Sequence, residues 1–108
     1  MSAELAGDLR ERVELQRRDG ARDAIGGAVG AWVSLGMAWA AVEYERIGVG
    51  VAGEAADASP WWRVTMRARG DVSVGDRLLW NGRVLAIRSV ERDPRLPDRL
   101  RLRAEEAR

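Results

Sequence analysis

The sequence predicts a mainly β fold, a small antiparallel barrel or sandwich of six or seven strands, on three observations. Apolar and polar residues alternate over residues 10–18 and again over residues 61–69; a period of two belongs to a strand with one face buried. Asn81-Gly82 separates two short apolar runs, which is the strongest short-range hairpin signal a sequence can carry. The other short apolar runs bring the count to six or seven short strands, with little or no helix.

The elements follow in order. Residues 1–7 read as a flexible arm. In the first strand Val13 and Leu15 face one way and Arg12, Glu14 and Gln16 the other, and Asp19-Gly20 ends it. A glycine-rich loop centred on Gly26-Gly27 leads to apolar runs at residues 31–35 and 37–44. These form one bent strand or two, interrupted at Gly36; their β-branched and aromatic content favours strand over helix. Residues 45–60 form a long loop, broken by Gly48, Gly50 and Gly53, with room for one or two helical turns from Gly53 to Ser59. A loop this long is unusual in a compact domain and points to function or disorder. The strand from Trp61 then sets Trp62, Val64 and Met66 against Trp61, Arg63, Thr65 and Arg67. Residues 77–80 and 83–90 form the hairpin, and residues 99–103 the last strand, with Leu100 and Leu102 inward and a solvated tail from Ala104. Closing such a sheet into a barrel removes edges that would pair with other chains.

At 108 residues the chain makes one domain. There is no Cys, which excludes disulfides and thiolate metal sites, and no His, which removes the usual general base and the commonest metal ligand. No cofactor is expected. No apolar run approaches the ~20 residues of a membrane span, and residues 1–12 lack the apolar core of a signal peptide. A soluble protein made in the cytoplasm, with no membrane partner, is therefore expected. Net charge is +1, from 18 basic and 17 acidic residues, so no net field draws the chain to nucleic acid. Every basic residue is Arg. Either the bidentate pairing of Arg is used across interfaces, or a GC-rich genome has simply replaced Lys.

Catalytic arrangements fail on inventory. Ser-His-Asp and Cys-His sets cannot be built. The glycine-rich loop lacks the Gly-Lys-Ser/Thr of a phosphate-binding loop. Asp71 and Asp76 flank turns at Gly70 and Gly75, where Asp serves backbone hydrogen bonding. Glu43 and Glu45 share a strand face, which suits a cation less well than a solvated or ion-paired surface. The chain is expected not to be an enzyme. The candidates are instead interface residues: Arg46, Glu54 and Asp57 in the long loop, Trp61 and Arg63 after it, and Arg99, Arg101 and Arg103 on the last strand. Adjacent tryptophans on a strand point to opposite faces. One of Trp61 and Trp62 therefore enters the core, and the other is an exposed anchor or is covered by the loop. The three C-terminal arginines are the wet face of an amphipathic strand, a set of intersubunit ion pairs, or a phosphate contact.

The order of these signals resembles the phage head-tail joining (head-tail adaptor or stopper) family. The matching pieces are Gly7-Asp8-Leu9-Arg10-Glu11-Arg12-Val13 leading into Leu15-Gln16-Arg17, then Gly26-Gly27 followed by Trp32, then Trp39-Ala40-Ala41-Val42-Glu43. Val64-Thr65-Met66-Arg67, Gly75-Asp76-Arg77-Leu78, Trp80-Asn81-Gly82-Arg83-Val84-Leu85-Ala86-Ile87, Val90 and Leu100-Arg101-Leu102 complete it. Trp61-Trp62 departs from the more polar lead-in expected there, and the long loop is richer in Ala and Gly. The resemblance implies a virion protein of a phage or a gene transfer agent, forming a homo-oligomeric ring at the head-tail connector. It implies a portal or adaptor on one side, a tail terminator or tail protein on the other, and DNA passing through without sequence-specific contacts. A tail-completion protein and an SH3-like binding module are the alternatives.

Overall fold

The computed structural model describes residues 5, 7–19, 30–45 and 59–107. Within them lie six strands: β1 (Glu11–Arg18), β2 (Trp32–Glu45), β3 (Trp61–Arg67), β4 (Arg77–Trp80), β5 (Arg83–Glu91) and β6 (Arg99–Glu106). They pair antiparallel throughout. The order β1-β2-β3-β6-β5-β4 closes on itself as a barrel, the mainly β architecture that the alternation predicts.

The inward residues explain the closure. Val13, Leu15, Val64, Met66, Leu78, Leu85, Ile87, Leu100 and Leu102 are almost fully buried in one cluster. Each large side chain buried this way contributes roughly 1.5–3 kcal/mol. Ala40 and Ala104 fill the same interior, since a small barrel has room for large residues only where small ones face them.

Two glycine-bearing positions set the strand geometry. At the tip of the β4–β5 hairpin Asn81 and Gly82 both have positive φ, 49° and 76°. That is the type I′ turn, whose twist matches the flanking strands. In β2 the chain does not break at Gly36. Leu15 pairs with Gly36 and Gln16 with Ser34, so Leu35 is an extra residue and Gly36 adopts φ 105°. The expected interruption is a β-bulge in one bent strand, which a glycine permits.

Different groups close the two ends of the barrel. At one end Tyr44, Trp62 and Trp80 stack edge to face, with centroids 5.3 and 5.0 Å apart. Both indole nitrogens have partners there: Trp62 donates to Glu106 (2.9 Å) and Trp80 to Glu11 (3.0 Å). At the other end buried Asp76 accepts from Arg17 Nε and Nη2 (3.1 and 3.0 Å) and from the Ser73 amide (2.9 Å). Arg17 also donates to the Asp71 carbonyl (2.7 Å).

Two boundaries differ from the sequence reading. The tail expected from Ala104 is instead strand as far as Glu106, and Ala104 is buried. Its methyl fits the core, and the Glu106 and Ala107 amides are taken by the Pro60 and Val84 carbonyls, both at 2.8 Å. Leu5, within the expected N-terminal arm, is buried, and its carbonyl accepts from the Leu9 amide (3.2 Å). Of the long loop, Glu45, Ser59 and Pro60 are described; Arg46, Glu54 and Asp57 lie outside the described residues.

Candidate assembly surfaces

Outward residues divide the barrel surface into two unlike faces. In the cyclic strand order β1 and β6 lie three strands apart, so the faces centred on them point away from each other.

The face centred on β6 is charged. Arg63 lies directly across from Arg103, Thr65 across from Arg101, and Arg67 across from Arg99. Like charges opposed on neighbouring strands repel unless neutralised. Arg103 is neutralised by Glu45 (2.9 Å) and Arg99 by Asp98 (3.0 Å). Arg63 and Arg101 make no hydrogen bond or ion pair with the described residues. They line an open trough with Thr65 and Arg103, flanked by Glu43 from β2 and Glu91 from β5. The N-terminal turn adds Leu5 and Asp8 to its lining.

Four of the residues singled out from sequence thus meet on this face: Arg63, Arg99, Arg101 and Arg103. Trp61 joins them at its edge, across from Glu45 and Glu105. It is not a bare anchor, because the Arg103 guanidinium lies 4.4 Å from its ring centroid and the side chain is largely covered. Trp62 is the inward member of the pair and packs against the core.

Sequence reasoning missed the opposite face, centred on β1. Met37 and Trp39 are about half exposed there (50% and 51%), against alternating Ala38 and Ala40 inside. Arg12 lies across from Trp39 and stacks on it at 4.8 Å. The Arg18 and Arg77 guanidiniums both lie over Trp32, at 4.8 and 4.1 Å from its ring centroid. Val84, Leu79, Glu14 and Met37 form one continuous cross-strand row. Arginine on tryptophan in a solvated setting is worth roughly 0.5–1 kcal/mol, and Trp, Met and Arg are the residues enriched where proteins meet. The signal available was the size contrast in β2: alanines mark the crowded inside, which sends Trp39 out.

Of the carboxylates considered for chemistry, Asp71, Asp76 and Glu45 are tied to arginines. Asp71 accepts both Arg69 bonds (2.6 and 2.8 Å), and Asp76 holds Arg17. Among the described residues no group of three or more His, Cys, Asp or Glu side chains could hold a metal ion. No helix among them is long and apolar enough to cross a membrane.

The charges fix the pH response. The Arg69 hydrogen bonds hold Asp71 below the ordinary 3.8, the Arg95 bonds do the same for Asp93, and the Arg99 bonds for Asp98. The Asp76 hydrogen bonds raise the Arg17 guanidinium above its ordinary value. A depressed carboxylate stabilises the fold above its unfolded pKa and loses that effect as pH falls through the folded value. A raised guanidinium acts fully at every pH below its ordinary value. With no His or Cys in between, melting temperature is expected to stay level, within about 2 °C, from pH 6 to 9 and to drop below about pH 4. Calorimetric scans across that range check this, and a transition centred between pH 6 and 8 would contradict it.

Comparison with known proteins gives the same architecture a context. Residues 5–107 match the family described as phage head completion protein. The fold is similar to the solution structure of a Shigella flexneri 2a protein, at TM-score 0.69 and 25% identity, over 94% of this chain and 95% of that one. It is also similar to a chain in the virion of a native gene transfer agent particle, at TM-score 0.67 and 21% identity, over 92% and 96%. No curated protein sequence matches it. The family match spans nearly the whole chain, so the chain belongs to the phage head completion protein family and is a structural protein of the virion head.

Proposed function

We propose that the chain forms a homo-oligomeric ring at the head-tail connector, joining the portal or its adaptor to the tail and continuing the DNA channel. The observation that carries this reading is the head completion match over residues 5–107. It favours a head-side position over a tail terminator or an SH3-like module. Two physical features support it. A ring closed by head-to-tail contacts needs two different surfaces on each subunit, and the faces centred on β1 and β6 differ in just this way. A net charge of +1 suits a conduit, since each phosphate contact added would tighten binding and resist passage.

Purified particles carrying a tagged subunit, imaged by electron microscopy, test the proposal. Density for the tag in a ring between head and tail is the expected result. A tag along the tail tube, at the tail tip, or absent from particles would overturn it.

A further inference from the structure

We propose that neighbouring copies meet through the two faces described above, with the Trp39–Met37 surface of one subunit seated in the arginine trough of the next. This rests on the ring reading and names the contact that would build it.

Three observations converge. First, the two surfaces match in form. Trp39 and Met37 are apolar side chains left half-exposed on the outer wall, while the other face carries an open trough. Second, they match in charge. Around Trp39 the described outward charges on β1 and β4 are Arg12, Arg18 and Arg77 against Glu14. The trough is flanked by Glu43 and Glu91, for which no ion pair is formed among the described residues. Glu43 lies directly across from Arg63 and Glu91 across from Arg101, and neither couple closes an ion pair among the described residues. Arginines around the neighbour's tryptophan take up these glutamates, and the released Arg63 or Arg101 meets the indole, where a desolvated cation–π contact strengthens. Third, the placement is directional. The faces point away from each other across the barrel, so each contact leaves one of each kind open, and the assembly propagates until it closes. A contact of either face with itself would stop at a dimer.

DNA is the other occupant the trough arginines suggest. The flanking glutamates repel phosphates, and that favours a protein surface.

The absence of cysteine makes the test clean. Met37→Cys and Thr65→Cys place one thiol on each face, at an outward position where neither side chain belongs to the buried core. Particles and free protein carrying both substitutions, treated with a short bismaleimide, should give a ladder of cross-linked species extending beyond the dimer. Each single variant should give none. A dimer from Met37→Cys alone would establish a self-contact of that face and overturn the proposal. So would the lack of any ladder from particles in which the doubly substituted subunit is present at its normal position. Absence of the subunit from the connector would instead sink the ring reading itself. Trp39→Asp supplies a second measure. It should leave the circular dichroism spectrum of the barrel unchanged and cut incorporation into particles about tenfold or more, as loss of an interface anchor does. Normal incorporation would overturn the contact. A trough that protects bound DNA from nuclease and gives no protein ladder would assign it to nucleic acid.

Discussion

Replacing Asp76 by alanine is expected to lower the melting temperature by roughly 15 °C, corresponding to a loss of about 3 kcal/mol. The reasoning starts from burial. The Asp76 side chain is 5% exposed and accepts three hydrogen bonds, two from Arg17 and one from the Ser73 amide. Its own backbone carbonyl accepts from the Ile87 amide at 2.9 Å. Asp76 therefore ties the end of β1 to the turn that begins β4. This is the narrowest seam of the barrel, where β1 and β4 share only the pairs Glu14–Leu79, Leu15–Leu78 and Gln16–Arg77. Removing one partner of a buried ion pair costs ~3–5 kcal/mol, because the other partner keeps its desolvation penalty. Arg17 retains 41% of its side-chain exposure, so water recovers part of that penalty and the lower end of the range applies. Asp76→Asn separates charge from geometry. It keeps an acceptor for Ser73 but loses the bidentate grip on Arg17, and is expected to cost about half as much. Thermal melts of the two variants decide the matter. An unchanged melting temperature for Asp76→Ala would show that the seam is held by β1–β4 backbone pairing alone.

That tie also shows where a sequence stops being informative. The alternation at Val64 and Met66, the inward Leu100 and Leu102, and the Asn81-Gly82 turn were all legible because each is set by neighbours within a few residues. Arg17 and Asp76 stand 59 positions apart. Nothing local distinguishes Arg17 from its outward neighbours Arg12 and Arg18, or Asp76 from any aspartate beside a turn glycine. Ring closure of the sheet selects them. The same holds for the arginine face. The periodicity of β6 placed Arg99, Arg101 and Arg103 together, but the opposition of Arg63 to Arg103 follows from β3–β6 pairing, a neighbour relation that skips two strands in sequence. The aromatic face was missed for a different reason. Trp39 alternates with alanines, and a reading by hydrophobicity ranks tryptophan as the inward residue. Volume reverses that ranking inside a barrel this narrow, and the bulge at Leu35–Gly36 shifts the phase of everything before it.

Deleting residues 48–58 is expected to raise the melting temperature by a few degrees while abolishing particles in which the head is joined to the tail. The two effects have separate origins. β2 and β3 pair up to their ends, with Glu45 directly across from Trp61. The barrel therefore asks no more of this connection than a short hairpin turn. After the deletion Arg46, Ile47, Ser59 and Pro60 remain, and a four-residue connection is an ordinary hairpin length. Shortening the connection from fifteen residues to four reduces its closure entropy by about 1 kcal/mol, which adds to stability. A segment that the fold does not require, yet which carries Gly48, Gly50 and Gly53 together with Glu54 and Asp57, is proposed to serve the assembled connector, ordering against a neighbour or the channel. Loss of function through misfolding would lower the melting temperature and loss of a contact would not, so the opposite signs keep the two explanations apart. Calorimetry on the purified variant and a plaque or transfer assay on particles give both readings. Normal numbers of infectious or DNA-retaining particles from the deletion would show that the connector is built from the barrel faces alone.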